Sequence, residues 1–120
     1  MKQSKIIRAY EISDKLAEQT DLTNEGKWVL FMLRKDLSSS YEFNQQRYVE
    51  ILNKYKGTVN GDKITFDSPE TAQKFKKELD ELSEMDTELD IKTQELSLSD
   101  IPSITVHEVE ALQDFINFNK

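Results

Sequence analysis

The feature that most restricts the fold of this 120-residue chain is one long helical repeat of apolar residues. The repeat begins with an uninterrupted apolar run at 28–33, and we expect this run to be buried on several sides. It then narrows to positions spaced mostly by three, four and seven residues, which are Leu37, Tyr41, Tyr48, Ile51, Leu52 and Tyr55. Such spacing places apolar side chains along one side of an α-helix and predicts one long helix.

A run of three serines at 38–40 interrupts the long repeat. Serine hydroxyls compete for backbone hydrogen bonds, so a break or bend is an alternative here. The apolar register agrees on both sides, and we therefore expect the helix to continue. Thr23 or Asn24 is predicted to cap its start. Lys54 and Gly57 are predicted to end it, with the glycine in the left-handed conformation.

Two shorter elements flank the long helix. Residues 3–18 have an amphipathic pattern, and this first helix is predicted to lie antiparallel to the long one. The segment 58–66 carries Asn60-Gly61 between residues that favour strands. Because Asn-Gly supplies the positive backbone angles of a tight turn, a short β-hairpin is predicted there.

The rest of the chain has the signals of two further helices and a strand. Ser68-Pro69 is a strong helix start, and the helix is expected to end near residue 84. Over 87–93 the pattern changes to a period of two, which predicts a third strand added to the hairpin. Thr105 and Glu108 have the spacing of a capping box, and the helix that they begin is expected to end near Phe118.

These elements predict an α+β fold in a single domain, residues 1–120. We expect an N-terminal antiparallel helical hairpin, a small antiparallel sheet (the hairpin plus one strand) and two further helices. A compact chain of 14.0 kDa would expose about 6,700 Å² of surface. The apolar runs are too short to span a membrane, so no membrane association is expected.

The composition leaves little catalytic material. The chain has no Cys and a single His, His107, which excludes disulfides, thiolate metal sites and Cys nucleophiles. Its glycines at 26, 57 and 61 do not form a phosphate-binding loop or a dinucleotide fingerprint. We therefore predict no enzyme activity, no cofactor and no metal site. A small hydrolase with His107 in a cleft is the alternative, and a solvated surface histidine is the simpler interpretation.

Two surface features are candidates for partner binding. The net charge is −7, and seven acidic residues lie between 78 and 90. They form a solvated surface, or else an acidic face that binds a basic partner or mimics phosphate spacing. Divalent cation binding is a further alternative, against which the sequence has no calcium-binding loop. No basic cluster predicts direct nucleic-acid binding.

The second feature is aromatic. Tyr41, Tyr48 and Tyr55 are seven residues apart, which is typical of a packing seam, with a base-stacking platform or an oligomer interface as alternatives. The apolar run at 28–33 has more apolar surface than one partner helix needs, which indicates either self-association or, equally simply, burial of the whole run within the monomer. The candidate partner-binding residues from both features are Trp28, Phe31, Met32, Tyr41, Tyr48, Glu81, Glu84 and Glu88.

The order of features in the second half resembles a family of short uncharacterised proteins. The segments of this chain that carry the resemblance are, in order, LNKYKG, GDKITF and FKKELDELSEMDTELDIKTQELSLSDIPSITVHEVEALQDFI. Proteins of this family are encoded by phages and prophages of Gram-positive bacteria. The likeness covers 40–118, with a looser helical match before it, and this chain departs from the family in the run at 28–33 and in the serines at 38–40. The resemblance implies a phage setting and no residue-specific role.

The sequence therefore predicts a non-enzymatic phage or prophage accessory protein that binds other protein, as an assembly or virion-associated component. Its partner would be a phage structural protein, a host factor or a second copy of the chain. An acidic inhibitor of a host nucleic-acid-binding protein is the alternative. The expected location is the cytoplasm of the bacterial host, or the virion.

Overall fold

The computed structural model describes residues 1–119, and one long helix runs along most of its length. These residues form α1 (Gln3–Ala17), α2 (Asn24–Lys54), β1 (Thr58–Asn60), β2 (Lys63–Thr65), α3 (Pro69–Glu84), β3 (Gln94–Ser97), α4 (Val106–Leu112) and β4 (Ile116–Asn119). The α+β class is confirmed. The first two helices form the predicted antiparallel hairpin, in which Asp14 pairs with Arg34 and Tyr10 stacks on Tyr41.

α2 is continuous over 31 residues, so the serine run at 38–40 does not break it. The Ser38 hydroxyl donates a hydrogen bond of 2.9 Å to the Lys35 carbonyl oxygen, within the helix itself. At the start of the helix the Thr23 hydroxyl accepts a hydrogen bond of 3.1 Å from the Gly26 N–H. The predicted continuity is confirmed, and Thr23 rather than Asn24 is the cap.

The prediction that Gly57 ends α2 in the left-handed conformation is wrong. Lys56 has the positive φ, 54°, and Gly57 follows with an ordinary negative angle. A Cβ at 57 would lie 2.5 Å from Leu52 Cδ1 and 3.0 Å from the Phe66 ring, so a larger residue there requires these side chains to shift.

The hairpin is confirmed, with Val59 opposite Ile64 in an antiparallel pair. The predicted turn position is wrong by one residue, because Asn60 pairs with Lys63 as the last residue of β1 and the loop is Gly61-Asp62. In this loop only Gly61 has a positive φ (62°), which is the pattern of a type II′ turn.

The prediction of a third strand in this sheet is wrong. Residues 87–93 form no ladder, and β3 begins at Gln94 and pairs with β4 in a separate parallel pair. The period of two at 87–93 has another physical origin, because Leu89 and Ile91 pack against the core while the segment stays extended.

The last helix ends earlier than predicted. α4 stops at Leu112, and Phe118 lies in β4. The Phe115 carbonyl oxygen accepts a hydrogen bond from the Gln94 N–H, which begins the parallel pair. The predicted capping box is confirmed, since Thr105 and Glu108 exchange hydrogen bonds of 2.9 and 3.3 Å.

Two hydrophobic clusters lie along α2. The main one combines α1, the first half of α2, β3, β4 and α4, with Leu30, Leu37 and Leu112 fully buried. The smaller one surrounds Ile51 and Phe75, where the second half of α2 meets α3 and the hairpin.

The shape of the chain follows from this arrangement. The molecule measures 51 × 30 × 21 Å, and its radius of gyration of 17.0 Å exceeds the roughly 14 Å typical of 120 residues. Its accessible surface is 8136 Å², against about 6,700 Å² for a compact chain of this mass. The chain is therefore elongated, with more surface in water than a compact domain has.

We expect Gly26→Ala to destabilise the protein, although Ala normally stabilises a helix interior by about 1 kcal/mol relative to Gly. A Cβ at Gly26 would lie 2.5 Å from the Asp100 carbonyl oxygen, which also accepts a hydrogen bond from the Thr23 N–H. Because α2 would have to move away from this backbone, the free energy of unfolding should fall by about 1–3 kcal/mol.

Urea denaturation followed by circular dichroism measures this change. Ser39→Ala, an exposed change on the same helix, is the control and should stay within about 0.5 kcal/mol of the unaltered chain. A Gly26→Ala protein of equal or greater stability would contradict the close contact.

Candidate protein-binding surfaces

The two sides of α2 differ in their surroundings. Val29, Leu30 and Leu33 are buried in the main cluster, whereas Trp28 and Phe31 are 59% and 50% exposed. The expectation that the apolar run at 28–33 is buried on several sides is therefore wrong. Successive residues of a helix lie about 100° apart, and α1 with the C-terminal elements covers only one side of α2.

Trp28 and Phe31 form a stacked pair on the water-facing side. Their ring centroids lie 5.9 Å apart with an angle of 27° between the rings. Phe31 also borders a groove of about 260 Å³ between α1 and α2, lined by Tyr10, Arg34, Lys35 and Ser38. Met32, beside the pair, is half-buried. Exposed large aromatic side chains are the residues that most often anchor protein–protein interfaces.

The three tyrosines spaced by seven residues point inward and are half-buried. Tyr41 stacks on Tyr10 of α1 at 4.0 Å between centroids, and burial raises the pKa of its hydroxyl. Tyr48 meets the Phe75 ring edge-on at 6.2 Å. Tyr55 donates a hydrogen bond to Glu78. These contacts favour the packing-seam interpretation over a base-stacking platform, and a role of Tyr41 and Tyr48 in partner binding stays a prediction.

The acidic residues at 78–90 do not share one helical face. Glu78 and Asp80 are separated by about 200° around α3. Glu81 is exposed, and Glu84 forms an ion pair with Lys2. Glu88 is exposed in the extended segment that follows the helix. A role of Glu81, Glu84 and Glu88 in binding a basic partner also stays a prediction.

His107 is exposed at the second position of α4. Within residues 1–119, no group of three or more His, Asp or Glu side chains is placed to hold a metal ion. Across the same described range, no helix combines the length and apolar character that crossing a membrane requires.

Sequence reasoning missed two exposed apolar residues of α2, Phe43 at 41% and Val49 at 51%. Val49 lies on the same side of the helix as Trp28, because 21 residues are three repeats of seven. That spacing is visible in the sequence and was the signal that could have selected Val49. Val106, 72% exposed on α4, had no such signal because it belongs to the capping turn.

Comparisons of the chain with family models, with curated proteins and with solved structures found no match. The resemblance to phage and prophage proteins therefore stays a prediction.

We expect Glu78 to make the stability of the chain depend on pH in the acidic range. The hydrogen bond from Lys54 Nζ, and then the one from the Tyr55 hydroxyl, lower the pKa of Glu78 below its usual value. The pKa of Glu78 is lower in the folded chain than in the unfolded chain. The charged carboxylate therefore stabilises the fold at pH values above the usual pKa of a glutamate. This contribution is lost as the pH falls through the lowered pKa.

Glu78→Gln should therefore reduce the loss of stability between about pH 6 and pH 3, measured as urea midpoints across that range. Glu81→Gln is the matched control, since it removes one exposed carboxylate from the same helix and should preserve the pH profile. Equal profiles for the two variants would contradict a stabilising role of the Glu78 contacts.

Proposed function

We propose that this chain is a non-enzymatic phage or prophage accessory protein that acts by binding other protein, as an assembly or virion-associated component. Its location would be the host cytoplasm or the virion. The observation that carries protein binding is the exposed, stacked pair of Trp28 and Phe31. The phage setting is supported by the sequence resemblance alone.

The chemistry of this pair suits a protein partner. Burying one large apolar side chain is worth about 1.5–3 kcal/mol, so the two rings together offer a substantial part of a micromolar affinity. Lys27 and Lys35 are exposed on either side of them along α2. A matching surface therefore has an apolar centre and acidic groups at its rim.

The second candidate function, an acidic inhibitor of a host nucleic-acid-binding protein, is supported by the exposure of Asp80, Glu81, Glu88 and Asp90. It is weakened because Glu78 and Glu84 form ion pairs with Lys54 and Lys2. Reversing the charge of Glu81, Glu84 and Glu88 together should abolish such binding. Unchanged binding by that triple variant would exclude this candidate.

A pull-down from infected or induced cells tests the preferred function. We expect phage assembly or virion proteins to be recovered with the unaltered chain. With the double variant Trp28→Ala, Phe31→Ala we expect at least about tenfold lower recovery, the equivalent of about 1.4 kcal/mol. Val106→Ala is the control, because it removes an exposed apolar side chain (72%) from another helix.

Three results would contradict or redirect the proposal. Equal recovery with the double variant would exclude the Trp28–Phe31 surface. Recovery of one host nucleic-acid-binding enzyme, lost at high salt, would favour the acidic inhibitor. Recovery of nothing beyond the mock sample would count against an assembly role.

A further inference from the structure

We infer that the water-facing side of α2 pairs with the same side of a second copy of this chain, antiparallel and about a two-fold axis near residues 38–39. The inference rests on the proposed function, because both use the Trp28–Phe31 surface. It names a second copy of the chain as the partner that covers this surface.

Four exposed residues define the surface, which we call the outer strip: Trp28, Lys35, Glu42 and Val49. They are seven residues apart, so they follow one line along the helix with a drift of about 20° per repeat. The order along the strip is apolar, basic, acidic, apolar. Among residues 1–119, no ion pair within the chain uses Lys35 or Glu42.

The outer strip is symmetric about the peptide bond between residues 38 and 39. Trp28 and Val49 lie equally far from this point, and so do Lys35 and Glu42. A two-fold antiparallel pairing therefore places Trp28 opposite Val49 of the second copy and Lys35 opposite Glu42 of the second copy. Each of these contacts occurs twice, because a two-fold interface repeats every contact.

Charge selects this orientation over the parallel one. In a parallel pairing Lys35 would face Lys35 of the second copy, and Glu42 would face Glu42 of the second copy. Like charges in such positions are repulsive, whereas the antiparallel pairing makes two opposite-charge contacts. At the centre, the small exposed side chain of Ser39 allows the two helices to approach to a normal packing distance of about 8–10 Å.

The surface also has a depression where the pairing needs one. Gln45, Gln46, Val49 and Glu50 line a shallow, mostly apolar depression of about 420 Å³ on α2. Relative to the midpoint, Val49 and Gln46 are the counterparts of Trp28 and Phe31. The stacked rings of one copy therefore lie over the depression of the other.

The exposed surface of the chain is large enough to supply the interface of a stable dimer. The chain exposes 8136 Å², about 1,400 Å² more than a compact chain of its mass. A standard interface removes about 800 Å² from each partner. The outer strip is about 32 Å long, since it spans 21 steps of 1.5 Å, and a paired helix of this length covers a large part of such an interface.

A charge exchange tests the pairing on the purified full chain by sedimentation equilibrium. The unaltered chain should be dimeric at micromolar concentration. Lys35→Glu and Glu42→Lys should each raise the dissociation constant at least about tenfold, because each creates two like-charge contacts. The double variant Lys35→Glu, Glu42→Lys should restore it to within about threefold, since the opposite-charge contacts return.

Cysteine cross-linking tests the orientation, since the chain has no Cys of its own. Ser39→Cys lies near the two-fold axis and should form a disulfide-linked dimer under mild oxidation. Asn53→Cys, exposed on the same side, is the matched control. Its two copies lie about 44 Å apart in the antiparallel pair and should not cross-link. Cross-linking of both variants would indicate a parallel pair and overturn the inference.

Failure of this inference is distinguishable from failure of the proposed function. A purified chain that is monomeric at several hundred micromolar, or a charge exchange that does not restore the dimer, overturns the pairing. If partner recovery in cells still depends on Trp28 and Phe31, the proposed function stands. A dimer with charge-exchange rescue that recovers no phage or host protein supports the pairing and counts against the proposed function.

Discussion

Both hydrophobic clusters of this chain depend on α2, because that helix contributes buried residues to each. Leu30, Leu33 and Leu37 pack into the main cluster, and Ile51 is buried in the smaller one, where Tyr48 meets Phe75. Within residues 1–119, no sheet is wide enough to join the two, since each strand pair has only two strands. The continuity of the helix across its serine run therefore helps to hold the two parts of the molecule in a fixed relation. The start of α1 adds a second link, because the Gln3 N–H donates a hydrogen bond to the Met85 carbonyl oxygen just after α3.

The exposed surface of the molecule is a consequence of the same constraint. A helix of 31 residues is about 46 Å long, and the elements packed against α2 lie on one side of it. The other side is left to water along its full length, and it includes Trp28, Phe31 and Val49. Such a surface suits a partner that is itself a long helix, and the ordering of charges along it makes a second copy of α2 the matching one.

The sequence predicted the features that depend on neighbouring residues and missed those that depend on distant ones. The capping box of Thr105 and Glu108 and the continuity of α2 are local, and both predictions are confirmed. The strand at 87–93 and the end of α4 were wrong because β3 pairs with β4 across the chain, which no local pattern specifies. For the candidate site, the apolar run identified Trp28 and Phe31, but which side of the run faces water depends on how α1 packs.

The unequal size of the two clusters has a consequence for local opening. Few fully buried side chains hold the smaller cluster, so the second half of α2, α3 and the hairpin form the unit that opens at lower free energy. In the antiparallel pair, Trp28 in the well-packed half of one copy covers Val49 in the weakly held half of the other. Each copy then protects the amide hydrogens of its partner's less stable half, and that half exchanges more slowly as the concentration of the chain rises.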